Sequence, residues 1–171
     1  VPGRETRPTS DRVREALFGV LGERVEGARV LDLFAGTGAL GIEAISRGAA
    51  SAVLVEQAAP AIAVIRANLD ALDLNDMVRV RRTRAETYLR SQRDGPFDLV
   101  LLDPPYAAAV GLVAGLLGRL ARTALAPGAV VVVEAAARAE APPWPPGLVP
   151  DPSRRYGDTV LHLATFHPPE G

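Results

Sequence analysis

Arg29-Val30-Leu31-Asp32-Leu33-Phe34-Ala35-Gly36-Thr37-Gly38-Ala39-Leu40-Gly41-Ile42-Glu43-Ala44 carries the turn from which the fold is read. Arg29 to Phe34 has the apolar content of a buried strand, and Ala39 to Arg47 reads as a helix closed by Gly48. Strand, Gly-x-Gly, then helix is the ligand-cradling turn of a doubly wound sheet. The glycines let the backbone approach a ligand closely, and the helix start offers free N–H groups to a carboxylate or phosphate. Ser51 to Glu56 supplies the next strand. It ends in an acid 20 residues after Gly36, where a ribose-binding carboxylate is expected.

Outward from this turn, strands alternate with helices. Pro8-Thr9-Ser10 opens a helix whose Val13, Ala16, Leu17, Val20 and Leu21 form one apolar stripe. Residues 60–72 repeat that pattern with Ile62, Ile65, Leu69 and Leu72, and Val78 to Arg82 is a short third strand. Leu99 to Leu102 is a continuous apolar run, as in a strand covered on both faces. Val110 to Ala121 reads as a helix and Ala129 to Glu134 as a buried strand. A Pro-rich loop around Trp144 follows, with Trp144 as a packing anchor. Arg154 to Phe166 reads as a closing hairpin with a structural His162. The expected architecture is one α/β domain over residues 1–171, with residues 1–9 as an arm.

Composition narrows the chemistry. The chain has 171 residues, 48% hydrophobic and 23% charged, with formal net charge −1, so it reads as one globular domain. No cysteine and only two histidines leave no thiolate chemistry and no expected metal site. No stretch is apolar enough to span a bilayer and no leader is evident; a cytoplasmic monomer is the expectation. Every basic residue is arginine, so each positive charge is also a planar fork suited to phosphate. Residues 75–93 gather six arginines against Asp76 and Glu86, a phosphate-facing patch or a solvated face.

The most distinctive chemistry lies in Asp103-Pro104-Pro105-Tyr106, directly after the Leu99–Leu102 run. Two prolines cannot continue a sheet ladder, so the chain leaves the sheet at its carboxyl edge, where open α/β sheets hold ligands. A carboxylate and the Pro104 carbonyl there can accept both hydrogens of an amine conjugated to a ring, and Tyr106 can stack on that ring. The stretch resembles the Asp/Asn-Pro-Pro-Tyr/Phe motif of S-adenosylmethionine-dependent amino-methyltransferases. Asp32-Leu33-Phe34-Ala35-Gly36-Thr37-Gly38 resembles their first motif and lacks the third glycine of a dinucleotide fingerprint in its usual register.

Two further stretches narrow the resemblance. Arg7-Pro8-Thr9-Ser10-Asp11-Arg12-Val13-Arg14-Glu15-Ala16-Leu17-Phe18 and the late Tyr156-Gly157-Asp158-Thr159 look like those of the bacterial methyltransferases that modify guanine N2 in 16S ribosomal RNA. The resemblance implies a Rossmann-like, seven-stranded doubly wound sheet with an antiparallel C-terminal hairpin, and an enzyme of the guanine(966)-N2 type. It implies S-adenosylmethionine on Asp32, Phe34, Ala35, Gly36, Thr37, Gly38, Glu56, Gln57 and Ala85. Asp103, Pro104, Pro105 and Tyr106 would form the catalytic motif. Arg7, Thr9, Arg12, Arg14, Arg82, Arg154 and Arg155 would meet 16S rRNA, free or in the small subunit. Two departures stand out. The short basic hairpin that usually precedes the Arg-Pro-Thr motif is missing, consistent with the arm being the remnant of a trimmed segment. Arg84 also stands where Asp or Asn often lies near the adenine. The competing readings are an adenine-N6 or other amino-methyltransferase, an NAD-dependent oxidoreductase and a non-catalytic RNA-binding protein.

Overall fold

A computed structural model of the chain describes residues 8–105 and 110–169. Apolar runs at Arg29–Asp32 (β1), Ser51–Glu56 (β2), Val78–Arg82 (β3), Phe97–Leu102 (β4) and Leu125–Ala136 (β5) pair in parallel, in the order β3-β2-β1-β4-β5. Thr159–Phe166 (β8) adds antiparallel to β5. Leu148–Pro150 (β6) and Arg154–Tyr156 (β7) pair antiparallel with the two halves of β8. The expected seventh strand is therefore one edge strand interrupted between Pro150 and Arg154, where Pro152 cannot donate to a ladder.

Helices cover both faces because each central strand is apolar on both sides. Pro8–Leu21 (α1), Ala39–Ser46 (α2) and Ala59–Leu72 (α3) cover one face, with Leu17, Phe18, Ala44 and Ile65 in a core shared with Val30, Leu99 and Val132. Ala85–Ser91 (α4) and Val110–Thr123 (α5) cover the other, with Leu89, Leu117 and Leu120 against Leu31, Val100 and Val131. Among the described residues no helix is long and apolar enough to cross a membrane.

The boundaries of β2 and β3 fall where the sequence puts them. β1 stops at Asp32 rather than Phe34, although the Leu33 N–H still reaches the Leu101 carbonyl at 3.1 Å. β5 begins earlier than expected, because Leu125 pairs with Phe97 ahead of a register irregularity. The sequence reading misses α4 altogether: its one-turn apolar face of Ala85, Tyr88 and Leu89 is hidden in an arginine-rich run. Trp144 packs against the second core, and buried His162 pairs through Nδ1 with the Ser153 hydroxyl at 2.7 Å, so both are structural as expected.

α2 lies close on β2 because buried Gly41 presents no side chain to Leu54; a Cβ there would overlap the Leu54 side chain. Gly41→Ala should therefore destabilise the fold by about 1–3 kcal/mol through overpacking. Urea unfolding measures this, and a stability equal to wild type would mean that Leu54 has room to move.

Candidate functional site

The strand order reverses between β1 and β4, whose carboxyl ends diverge into loops on opposite faces of the sheet. Such a switch point opens a crevice. The loop after β1 enters it through Gly36 at φ +59° and Gly38 at φ +86°, conformations that L side chains rarely adopt. Gly38 also caps α2 and sits against Ile65 and Leu54, so a Cβ there would be tight as well as strained.

Glu56 fixes this loop. One carboxylate oxygen accepts the Gly36 N–H at 2.9 Å, and the other accepts the Ala58 N–H at 2.8 Å. Each oxygen keeps a second lone pair toward the crevice. Beside it lies a cavity of about 210 Å³ lined by Phe34, Glu56, Gln57, Thr83, Arg84, Ala85, Pro105 and Leu112, among others. The expected residues Phe34, Glu56, Gln57 and Ala85 thus meet in one hollow, floored by Leu33 and Val55. Ala85 starts α4, the helix absent from the sequence reading, so its place at a helix N-terminus becomes apparent only in the structure.

Three carboxyls line the sheet's carboxyl edge on the α1 face. Asp32, at the end of β1, is 1% exposed, and its carboxyl accepts the Phe34 N–H at 3.3 Å. It braces the glycine loop from beneath. Burial pushes it up to about 7 against that hydrogen bond, helped by the charges of Asp103, Glu56 and Glu134. Asp103 follows β4 directly; the residue is exposed in part, yet the protein around its carboxyl desolvates it and raises it to about 6. Glu134, half-buried near the end of β5, is pushed up to about 7 by burial and by Asp103. Sequence reading placed Glu134 only as a strand end. Its one signal in the sequence is an acid closing a valine run.

Pro104 and Pro105 turn out of the sheet as expected, and Pro105 borders the cavity. Tyr106 and Arg7 lie outside the described residues, as does the side chain of Thr9. The other expected RNA contacts are spread widely. Arg82 is exposed at the end of β3, whereas Arg154 and Arg155 are exposed on β7, at the opposite margin of the sheet. Five strand steps at about 4.8 Å separate β3 from β8, so these arginines would follow an extended polyanion rather than one phosphate. Arg12 is exposed on α1, but Arg14 is engaged by Asp11 at 3.1 Å and Glu43 at 3.6 Å. Within the arginine-rich run, Arg81 pairs with Asp94 at 3.2 Å and the Tyr88 hydroxyl donates to Asp94 at 2.7 Å. Burial works against the Asp94 carboxylate, yet these partners hold it below the usual range. Part of the local positive charge is thereby spent inside the fold.

Over residues 1–165 the chain matches a family model described as conserved hypothetical protein 95. The chain belongs to this family. A solved structure from Escherichia coli, named "Putative methyltransferase yhhF", superposes with a TM-score of 0.87 at 32% identity, covering 99% of this chain and 91% of that one. The Bacillus subtilis "Putative rRNA methyltransferase YlbH" is 44% identical over 108 residues, 62% of this chain and 59% of its own. Ribosomal RNA small subunit methyltransferase D of E. coli is 43% identical over 100 residues, 58% of this chain and 50% of its own. The chain thus spans 50–59% of the length of these two curated relatives. The family resemblance drawn from the sequence is borne out, and the fold is that of the Rossmann-like S-adenosylmethionine-dependent methyltransferases.

The raised Asp32 carboxyl has a measurable consequence. Its ordinary value is 3.8 and its folded value about 7, so the folded chain retains a proton that the unfolded chain releases between those values. Stability is therefore lost as pH rises through that window. Asp32→Asn, whose side-chain oxygen can still accept from Phe34, should be more stable than wild type at pH 8 by about 1–3 kcal/mol and show no such gain at pH 4. Urea titrations at both pH values test this; an equal difference at the two would acquit Asp32.

Proposed function

We propose that the chain transfers a methyl group from S-adenosylmethionine to the exocyclic N2 amine of a guanine in small-subunit ribosomal RNA, in the cytoplasm. The observation that carries this reading is Asp103-Pro104 at the end of β4, next to the glycine loop that Glu56 holds. The relatives named as ribosomal RNA methyltransferases support the substrate class.

The residues present fit the cofactor. Gly36 and Gly38 leave the loop backbone open to close approach, and Glu56 has lone pairs free for two ribose hydroxyls. Gln57 and the Ala85 backbone border the hollow suited to an adenine, with Thr37 and Ala35 completing the loop. When bound, S-adenosylmethionine supplies an electrophilic methyl group. Asp32, below the loop, holds the Phe34 N–H and so fixes the loop on which the cofactor would lie.

The protein's own task is to make a poor nucleophile available. The N2 lone pair of guanine is delocalised into the ring. Asp103 and the Pro104 carbonyl accept its two hydrogens, which favours a pyramidal nitrogen with its lone pair exposed. Tyr106 stacks on the base after it leaves its own stack. Asp103, raised to about 6, is ionised at neutral pH and takes the proton released after transfer, directly or through water. Arg12, Arg82, Arg154 and Arg155, with Arg7 and Thr9, meet phosphates and set orientation rather than sequence. Arg14 supports α1 through its ion pairs and contributes charge from there.

The deciding experiment is methyl transfer from labelled S-adenosylmethionine to unmodified small-subunit RNA and to assembled subunits, followed by nucleoside analysis. Label should appear in N2-methylguanosine; label in N6-methyladenosine would keep the crevice and overturn the base. Asp103→Ala should lower kcat at least about 100-fold with S-adenosylhomocysteine affinity within a few-fold of wild type. Unchanged turnover would remove Asp103 from the reaction. Glu56→Ala should weaken S-adenosylhomocysteine binding by about 10-fold or more, because ribose contacts and the loop brace are lost together. Calorimetry reads that loss, and unaltered affinity would undo the ribose assignment.

A further inference from the structure

Glu134 has no task in the reaction above, yet the sheet puts it beside the residue that has the central one. β4 and β5 are parallel with Leu102 opposite Val133 and their backbones about 4.8 Å apart, so Glu134 follows on β5 beside the point where the chain leaves β4 at Asp103, close enough for the Asp103 charge to bear on it. Side chains alternate along a strand. Leu101 and Val132 face the α1 core; Glu134 repeats that direction within β5, and Asp103 stands two residues beyond Leu101, just past the end of β4. On its other side Glu134 pairs with Leu161 of β8, which is fully buried. The ionisable groups whose charges bear on this corner, Asp32 and Asp103, are acidic. Among the described residues no arginine forms an ion pair with any of the three.

Two carboxylates side by side are acceptors only, and the edge of a base that suits them must offer adjacent donors. The Watson–Crick edge of guanine does so through N1–H and the N2 amine. Adenine presents an N1 lone pair at the corresponding place, which two carboxylates repel. We propose that Glu134 is a specificity-determining residue whose carboxylate accepts the ring N1–H of the guanine while Asp103 and the Pro104 carbonyl hold its N2 amine. This rests on the guanine-N2 reading and adds the group that selects the base. Burial with no cationic partner among the described residues fits the role, because a desolvated carboxylate gains most from a donor brought by the substrate.

The test uses 2-aminopurine, which keeps the N2 amine but has a lone pair in place of N1–H. Once the wild-type product position is mapped, ligated small-subunit RNA carrying guanine or 2-aminopurine there is compared by kcat/KM. Wild type should prefer guanine by about 10–100-fold. Glu134→Gln, whose amide can donate to the bare N1, should shift that preference toward 2-aminopurine by about 10-fold or more, with S-adenosylhomocysteine affinity within two-fold of wild type. Equal losses on both substrates, or none on either, would overturn the proposal and leave Glu134 a structural residue. Because 2-aminopurine also lacks the 6-oxo group, the change in preference on mutation is what identifies Glu134. If Glu134→Gln does not fold, Glu134→Ala should lose the preference for guanine instead, and equal use of the two bases by wild type means that no group reads N1–H. Failure of the wild type to form any N2-methylguanosine is a separate outcome, which removes the underlying reading and this proposal with it.

Discussion

The crevice depends on a single carboxylate held by two backbone donors. Glu56 ends β2, and its oxygens take the N–H groups of Gly36 and Ala58. It thereby ties the loop leaving β1 to the start of α3. Without it, the loop would keep the Ala35 N–H on the Val55 carbonyl and the Gly38 N–H on the Ala35 carbonyl, but Gly36, which has much conformational freedom to lose, would have no side-chain tie to β2. The gap between β1 and β4 would remain, but its glycine wall would be less firmly held. Side-chain charge and backbone geometry therefore act together in this wall of the crevice.

Opposite that wall the sheet tolerates a less comfortable arrangement. Asp32, Asp103 and Glu134 are each raised by burial, and the charges add to one another. Nothing in hydrophobic packing asks for carboxyls at these positions. Isoleucine or valine would continue the cores beneath them. Groups held at such cost cluster where chemistry takes place. The contrast with Asp94 is instructive: that acid has a tyrosine hydroxyl and an arginine as partners and is held below the usual range. Asp94 is stabilised as a carboxylate by its partners, whereas the other three are made easier to protonate by their surroundings.

Most of the scaffold was legible in the residues because its signals are local. Continuous apolar runs bounded by charge mark β2 and β4, the alternation of valine and arginine marks β3, and Gly36 and Gly38 mark the turn. The misses share a physical cause. α4 is one short helix whose apolar face is set by contact with α5, and its arginines dominate the local pattern. The pairing of Arg81 with Asp94 spans a helix and a loop, so a count of charges over a window overstated the free positive charge. Glu134 acquires meaning only from register, because its proximity to Asp103 depends on which strands are neighbours. The candidate site was readable as a list of residues, and the structure added which of them stand together.

The two margins of the sheet are finished in different ways. At one, β3 carries Arg79, Arg81 and Arg82 in five residues; at the other, the β6–β7 strand is broken around Pro152. A valine-rich interior such as β5 would template further strands if it lay at a free edge. At the β3 border an incoming chain would have to desolvate charge, and at the other it would meet a broken row of donors and acceptors. The arginines of β3 and the prolines that divide the last edge thus also make each border a poor template for the strand of another molecule.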